Sequence, residues 1–592
     1  MRRFLTVLLI LLAGTARAET PSPSLPWQKW EPALFDRAAR EDRYILLHMA
    51  AVWCHWCHVM EGTTYRDPAI QKVILDKFIP VRVDQDSDPE LSYRYEQWGW
   101  PATIMLDKDG NEIFKRRGYV APELFAKLLA AVIADPSALP SLTLGAAVDP
   151  DAVGLSDDRR ARSEAMLLKA YDRRHGGFGN SQRFLQGDTV EWALERSRPL
   201  QRNADIEVWR DVAHRTLAGA RRLIDPVWGG MFQYSDKLDW SGPHFEKLLN
   251  VQRDALRTYV LAWQIAQDEA DLKAAKDIAR WLIDFMRSDG GAFYTSQDAD
   301  VGPQEHGDVF YAKSDAQRRI GRQPPIDRNL YARENGWAIS GLAALYDATG
   351  DSALLEAATT AFDWVLAHRR APNGGFGHGR AADDDTHLGD TLAMAEAVLA
   401  LYRSTAERRY LALASELAEA IARDHRDESG FVVRRPNPEA RGVLRKPVRQ
   451  IDENVAATRL FNLLARTIGR KDFRELAEHG MRYLTALAAD DLVVPGALLA
   501  DRELAREPAH VTIVGAKDDP SAQALYAIAR QYPTRYLRIE WLDRREGPLP
   551  AADVEYPELP EAAAFACANG ACSVPVFSPD QVFRIVSRVD DR

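Results

Sequence analysis

Three observations predict an α/β domain, then a long all-α domain, then a small α/β attachment. A Cys-x-x-Cys pair directly follows an apolar run near the N-terminus. Gly-Gly-aromatic marks recur through the middle of the chain with helical segments between them. Beyond about residue 495 the period changes and short apolar runs return. At 592 residues, 46% hydrophobic and 27% charged, the chain has a globular composition and room for several domains.

The first domain is expected over residues 27–135. YILLHMA (Tyr44–Ala50) is a short apolar run and predicts a buried strand. The dithiol follows at once, then VILDKF as helix and IPVRVD (Ile79–Asp84) as a second strand. TIMLD (Thr103–Asp107) and EIFKRRG (Glu112–Gly118) flank Lys108-Asp109-Gly110-Asn111, a hairpin turn sequence. PELFAKLLAAVI (Pro122–Ile133) closes the domain as an amphipathic helix with proline in its first turn. Strand, Cys-x-x-Cys, helix, strand, proline, hairpin, helix is the thioredoxin order.

In that order Cys54 lies at a helix N-terminus, where unpaired N–H groups and the dipole favour thiolate. Cys54 is therefore the expected attacking sulfur and Cys57 the resolving one. Trp53 is expected to shield one side, and an imidazolium at His55 to favour the thiolate further. Pro101 in GWPAT stands where this fold carries a cis proline. Thioredoxins have a buried Asp in the strand before the dithiol; here that position is His48. Two other readings stay open: a metal site built from Cys54, Cys57 and a histidine, or a purely structural pair. The redox reading calls for no metal and no cofactor.

Residues 150–490 repeat. The marks are GGFG at Gly176, GGMF at Gly229, GGAF at Gly290, GGFG at Gly374 and a decayed SGF at Ser429. Their spacings are 53, 61, 84 and 55 residues, the longest holding an extra loop. Between marks lie helix pairs. In the first, Leu256, Tyr259, Val260 and Trp263 follow the i, i+3, i+4, i+7 pattern. First members are more apolar all round, as an inner ring requires, and second members carry more charge. Long pairs at this period predict a closed toroid of about six hairpins, the (α/α)6 barrel. Acids and aromatics gather before the inner helices: Trp240, His244 and Glu246, then Asp298 and Asp300, then Asn335, Asp390 and Asn454. Paired carboxylates beside aromatic walls suit glycoside chemistry, and the same residue types cap helices.

The tail, residues 491–592, reads as strand HVTIVG, helix SAQALYAIARQ and strand RYLRIEW. Cys567 and Cys572 flank Asn569-Gly570, a tight turn that brings two cysteines within bonding reach. They form either a local staple or a second redox pair that exchanges with Cys54 and Cys57. At the other end, Arg2 and Arg3 precede an apolar run that ends in Ala16-Arg17-Ala18. This predicts a signal peptide over residues 1–18 and an exported protein, periplasmic or secreted, with no stable membrane anchor. Loss of Arg2, Arg3 and Arg17 with that leader takes the net charge from −10 to −13, the wrong sign for a nucleic-acid partner.

The motifs CHWCHVM, KVILDKFIPVRVD, GWPATIML, GGFG, YSDKLDWSGPHFEKLL, FYTSQDAD, VTIVG and CANGACSVPV together resemble the spermatogenesis-associated protein 20 family. NSQRF after the first GGFG departs from the family's small-Pro-Lys-Phe, and the stretch after His378 is short. The resemblance implies a redox-like N-terminal domain and a barrel similar to those of glycosidases and sugar epimerases. It supplies no substrate. Two functions are expected to compete: a thiol–disulfide oxidoreductase with a protein thiol or disulfide partner and the barrel as docking or ligand-binding platform, and a carbohydrate-active or carbohydrate-binding barrel with an accessory thioredoxin domain.

Overall fold

The computed structural model describes residues 24–139, 148–149, 151–198, 205–302, 305–379, 386–489, 492–551 and 553–590. The expected signal peptide lies outside the described residues. Among those described, no helix is long and apolar enough to cross a membrane.

The N-terminal domain is a four-stranded sheet of Tyr44–Ala50, Phe78–Asp84, Ala102–Leu106 and Glu112–Arg117, ordered second, first, third, fourth. The first two strands are parallel and the other neighbours antiparallel. Tyr44–Ala50 is buried almost throughout, which explains its unbroken apolar run. The dithiol helix is His55–Gly62. Pro68–Lys77 follows, its N-terminus capped by the Asp67 carboxylate on the Ala69 and Ile70 N–H groups. The Trp100–Pro101 peptide is cis.

The middle of the chain is a closed double ring. The inner helices are Gly187–Arg196, Leu249–Ala266, Ala332–Thr349, Leu388–Thr405, Ile451–Ile468 and Pro495–Leu504. Each packs on the next, and the last packs back on the first. The outer helices are Asp157–Ala170, Ile206–Ala220, Glu269–Phe285, Ser352–Arg369, Arg408–Asp424 and Lys471–Ala489. The sixth inner helix, Pro495–Leu504, corrects the expected boundary at residue 490: the ring runs on through it. Small residues set the spacing. A Cβ on Gly336 would come within 2.6 Å of the Ala393 backbone on the next inner helix.

The glycine marks are the ring's outer corners. Gly229 has φ of +80° and lies against the Asp277 carbonyl, so that a Cβ would meet that oxygen at 2.0 Å. Polar residues near the start of the inner helices tie four of the five marks down. Gln252 bonds both backbone groups of Met231, and Asn335 those of Phe293. The Thr391 hydroxyl accepts from Phe376 N–H, and Asn454 bonds both groups of Phe431.

The C-terminal unit holds Ala509–Val514, Leu537–Leu542, Ala563–Ala568 and Ala571–Cys572, again in the order second, first, third, fourth. Its pairings are parallel for the first two and antiparallel for the rest. It thus repeats the sheet order of the N-terminal domain. It sits at the C-terminal ends of the inner helices, where Arg530 reaches Asp347 and the Ser404 carbonyl, and Asn462 donates to Tyr536. The N-terminal domain sits at their N-terminal ends. There Arg333 donates to Tyr93, Arg94 donates to the Val443 and Lys446 carbonyls, and the His378 ring meets the Asp86 carbonyl. Helices of 18 residues, about 27 Å long at 1.5 Å per residue, separate the two sheets.

Candidate functional site: a dithiol closed against the barrel rim

Cys54 is the N-cap of His55–Gly62, and its sulfur accepts the Cys57 N–H at 3.1 Å. The two cysteines are bridged. Both are buried, Cys54 at 4% exposure and Cys57 at 0%. They lie in one apolar cluster with Ala50, Ala51, Trp53 and, from the barrel, Leu248; Trp100 and Val251 pack at its edge. The barrel therefore covers the sulfurs. Trp53 donates its indole N–H to Asp86 at 3.1 Å, which fixes the ring beside Cys54.

His48 is fully buried between Trp27 and Tyr65. Its Nε2 lies 3.3 Å from a Glu61 oxygen. Burial holds the imidazole below its ordinary value. Burial would push Glu61 up, but His48 and Arg82 outweigh it and leave the carboxyl at about 2. An acid does pair with the residue at that strand position, then, carried by the dithiol helix and not by the strand. Sequence reasoning missed Glu61; its place one turn after His58, facing the strand, was the available signal.

The rim acids meet the same helix from outside. His55 Nδ1 bonds Asp300 Oδ2, and His58 Nδ1 lies 3.6 Å from Asp298 Oδ2. His306 approaches the other Asp300 oxygen at 3.6 Å. Glu246 Oε2 lies 4.0 Å from His244 Nδ1 and has no hydrogen-bond partner. The Asp300 contact raises the His55 imidazole above its ordinary value. Burial pushes Asp298 to about 6 and, with help from Asp298 and Asp300, Glu246 to about 7. Two triads, His55–Asp300–His306 and Asp84–Asp86–Asp327, each present ligand atoms within 4.8 Å of one another.

The expected barrel cavity thus needs correction. Glu246, Asp298, Asp300 and His244 do converge, but on the dithiol helix and not on the barrel axis. Trp240 is buried at 1% exposure and donates to the His175 carbonyl, a packing role with φ of +66°. Asn335 and Asn454 are spent on the hairpin ties. Asp390 pairs with His378 at 2.9 Å and accepts the Arg333 N–H. The space inside the ring is lined by other residues. A cavity of about 450 Å³ is bounded by Asp188, Arg253, Asp254, Glu396, Asp452 and Arg459. A chamber of about 320 Å³ lies under Trp53, Trp100 and Tyr93 and shares Arg253, Glu396 and Asp452 with it. Cys567 and Cys572 are bridged at the far end of the barrel.

Similarity to known proteins follows the same division. Residues 17–132 match a DsbH-type thioredoxin profile described as a protein of unknown function, DUF255. Residues 328–508 match the profile of the β-L-arabinofuranosidase GH127 catalytic domain. Spermatogenesis-associated protein 20 of Mus musculus is 26% identical over 309 residues, and that of Homo sapiens 24% over 315. Over that stretch the chain is similar to spermatogenesis-associated protein 20. The match takes in 47% of this chain and 39% of the mouse protein, so it spans about two-fifths of these curated relatives. The thiol:disulfide interchange protein DsbD of Ralstonia nicotianae is 31% identical over 108 residues, 18% of each chain. Among solved structures, a D-mannose isomerase is 12% identical with a TM-score of 0.45, covering 59% of this chain and 96% of its own.

Proposed function

We propose that the chain is a thiol–disulfide oxidoreductase working through Cys54 and Cys57. The observation that carries this is the placing of Cys54: a bonded partner three residues on, at the N-terminus of a helix, with its sulfur already accepting a backbone N–H. Reduced, the Cys54 thiolate attacks a substrate disulfide and releases one substrate thiol. Cys57 then attacks Cys54 in the mixed disulfide, frees the second substrate thiol and leaves the chain oxidised. Two electrons and two protons pass to the substrate, and the reverse sequence oxidises a dithiol. The barrel covers the sulfurs through Leu248, so exchange requires the seam between domains to part. Export, read from the leader pattern of residues 1–18, would place this chemistry where disulfides persist.

The test is a trap. Cys57→Ser should hold a mixed disulfide with 5,5′-dithiobis(2-nitrobenzoate) at Cys54, and Cys54→Ser should hold none at Cys57. Equal trapping at both positions, or at neither, removes the assignment.

A carbohydrate-binding barrel is the second reading. It is supported by the axial cavity with its lining acids, Asp188 and Asp452, both pushed up to about 6 by desolvation within the ring. Calorimetry with arabinose, mannose and cellobiose tests it; heats unchanged by Asp452→Asn and Glu396→Gln would remove it.

A further inference from the structure

Three separate stretches of sequence meet at one point on the seam. His55 comes from the dithiol helix, Asp300 from SQDAD, and His306 from the long loop after it. Asp300 stands between the two imidazoles, one oxygen toward each. The rings of His55 and His306 meet edge to face, with centroids 5.3 Å apart. All three ligand atoms lie within 4.8 Å of one another. An ion at their centre needs only side-chain turns to reach each of them.

A second observation points to a ligand. Glu246 is 5% exposed, and its Oε2 is buried without a hydrogen-bond partner. The charges acting on it are those of Asp298, Asp300 and His55. A buried carboxylate oxygen left unpaired is costly, and two further carboxylates make it more so. The fold collects three acids here, and among the described residues their ion pairs are all with histidines. A cation satisfies all of these groups at once.

We propose that His55, Asp300 and His306 bind a divalent transition cation of the zinc type, with Glu246 turned toward it. Two imidazole nitrogens and carboxylate oxygens are the donor set such ions take, with M–N of about 2.0–2.1 Å and M–O of about 2.0–2.2 Å. Tetrahedral ligation would set His55 Nδ1 and Asp300 Oδ2 roughly 3.3 Å apart, the metal taking the place of the hydrogen bond between them. Three protein ligands leave one position for water or a further carboxylate. The His306 side chain is 56% exposed and leaves an entry path from solvent. The ligands come from both domains, so the ion would clamp the dithiol helix onto the barrel rim. The Asp84–Asp86–Asp327 triad has only oxygen donors and suits harder cations.

The test uses the oxidised, tag-free full chain, in which both cysteine pairs are bridged and no thiolate competes for metal. Titration with zinc chloride alone, followed calorimetrically, should give one zinc per chain. Asp300→Asn and His306→Ala should each weaken binding by at least about 10-fold. Cobalt(II) should give a visible spectrum that His306→Ala abolishes. His306 lies on the exposed rim, so that variant keeps the test decisive if Asp300→Asn misfolds. Absence of stoichiometric zinc, or an affinity that neither substitution changes, would overturn the proposal. So would loss of zinc in Asp327→Asn alone.

Discussion

Truncating Leu248 to alanine should open the dithiol. Leu248 is 6% exposed and is the barrel residue packed into the cluster that buries Cys54 and Cys57. If a reductant reaches Cys54 only when the seam parts, the burial of this side chain opposes every opening. Full burial of a leucine is worth about 1.5–3 kcal/mol. Removing it should make the open state roughly 10- to 150-fold more populated, at about 1.4 kcal/mol per factor of ten. The assay is the rate at which dithiothreitol reduces Cys54–Cys57, quenched by alkylation and read by mass spectrometry. With opening fast and unfavourable, the rate follows that population and should rise by the same factor. Because Leu248 also borders the 320 Å³ chamber, the lower end of the range is the better expectation. A rate within twofold of the parent would mean that the sulfurs are reached with the seam closed, and the gating by Leu248 would fall.

Asn335→Ala should cost about 1–3 kcal/mol in urea unfolding, because it leaves the buried Phe293 N–H without its acceptor; an unchanged midpoint would show that the tie is dispensable. His378→Gln tests the His378–Asp390 ion pair of the barrel rim through pH. Burial alone would depress His378, but Asp390 outweighs it and holds the imidazole above 6.5. A raised folded-state value contributes stability that is full below about pH 6.5 and is lost as pH rises through it. The parent's advantage over His378→Gln should therefore shrink toward alkaline pH, and a gap that widens there would contradict the pairing. Replacing Cys567 and Cys572 by serine should lower stability by less than about 3 kcal/mol, because the closed loop is short. It should leave the Cys54–Cys57 potential unchanged, because the barrel stands between the two pairs; a shifted potential would revive a relay.

Local chemistry made part of this architecture legible. A Cys-x-x-Cys directly after an apolar run can only be read at a strand–helix junction in this order, and the Gly-Gly-aromatic marks announce corners because their glycines adopt φ that other residues resist. What stayed hidden depends on contacts between distant segments. Pro495–Leu504 is only 10 residues long, too short for its period to separate it from the tail, yet it closes the ring. Ala563–Ala568 is mostly alanine, with weak strand preference outside Phe565, and its pairing with Ala509–Val514 makes it a strand. The second sheet of thioredoxin order was therefore invisible. Rim acids such as Asp298 and Asp300 could be placed near the inner helices, but not on the side that the first domain occupies. Asp254 and Glu396 face the axis from within apolar helices, where a polar residue reads as a surface position. Asn335 and Asn454 look like cavity residues by type and are hairpin ties by geometry.

The reduction potential of Cys54–Cys57 in the full chain decides whether this pair is a catalytic dithiol. Equilibrating the protein against glutathione and dithiothreitol buffers, then counting alkylated cysteines at each position, yields both disulfides in one experiment. A two-electron couple for Cys54–Cys57 is expected between about −120 and −270 mV, the span of catalytic dithiols, with Cys567–Cys572 still bridged across that range. A Cys54–Cys57 potential below about −300 mV, the territory of structural disulfides, would contradict it.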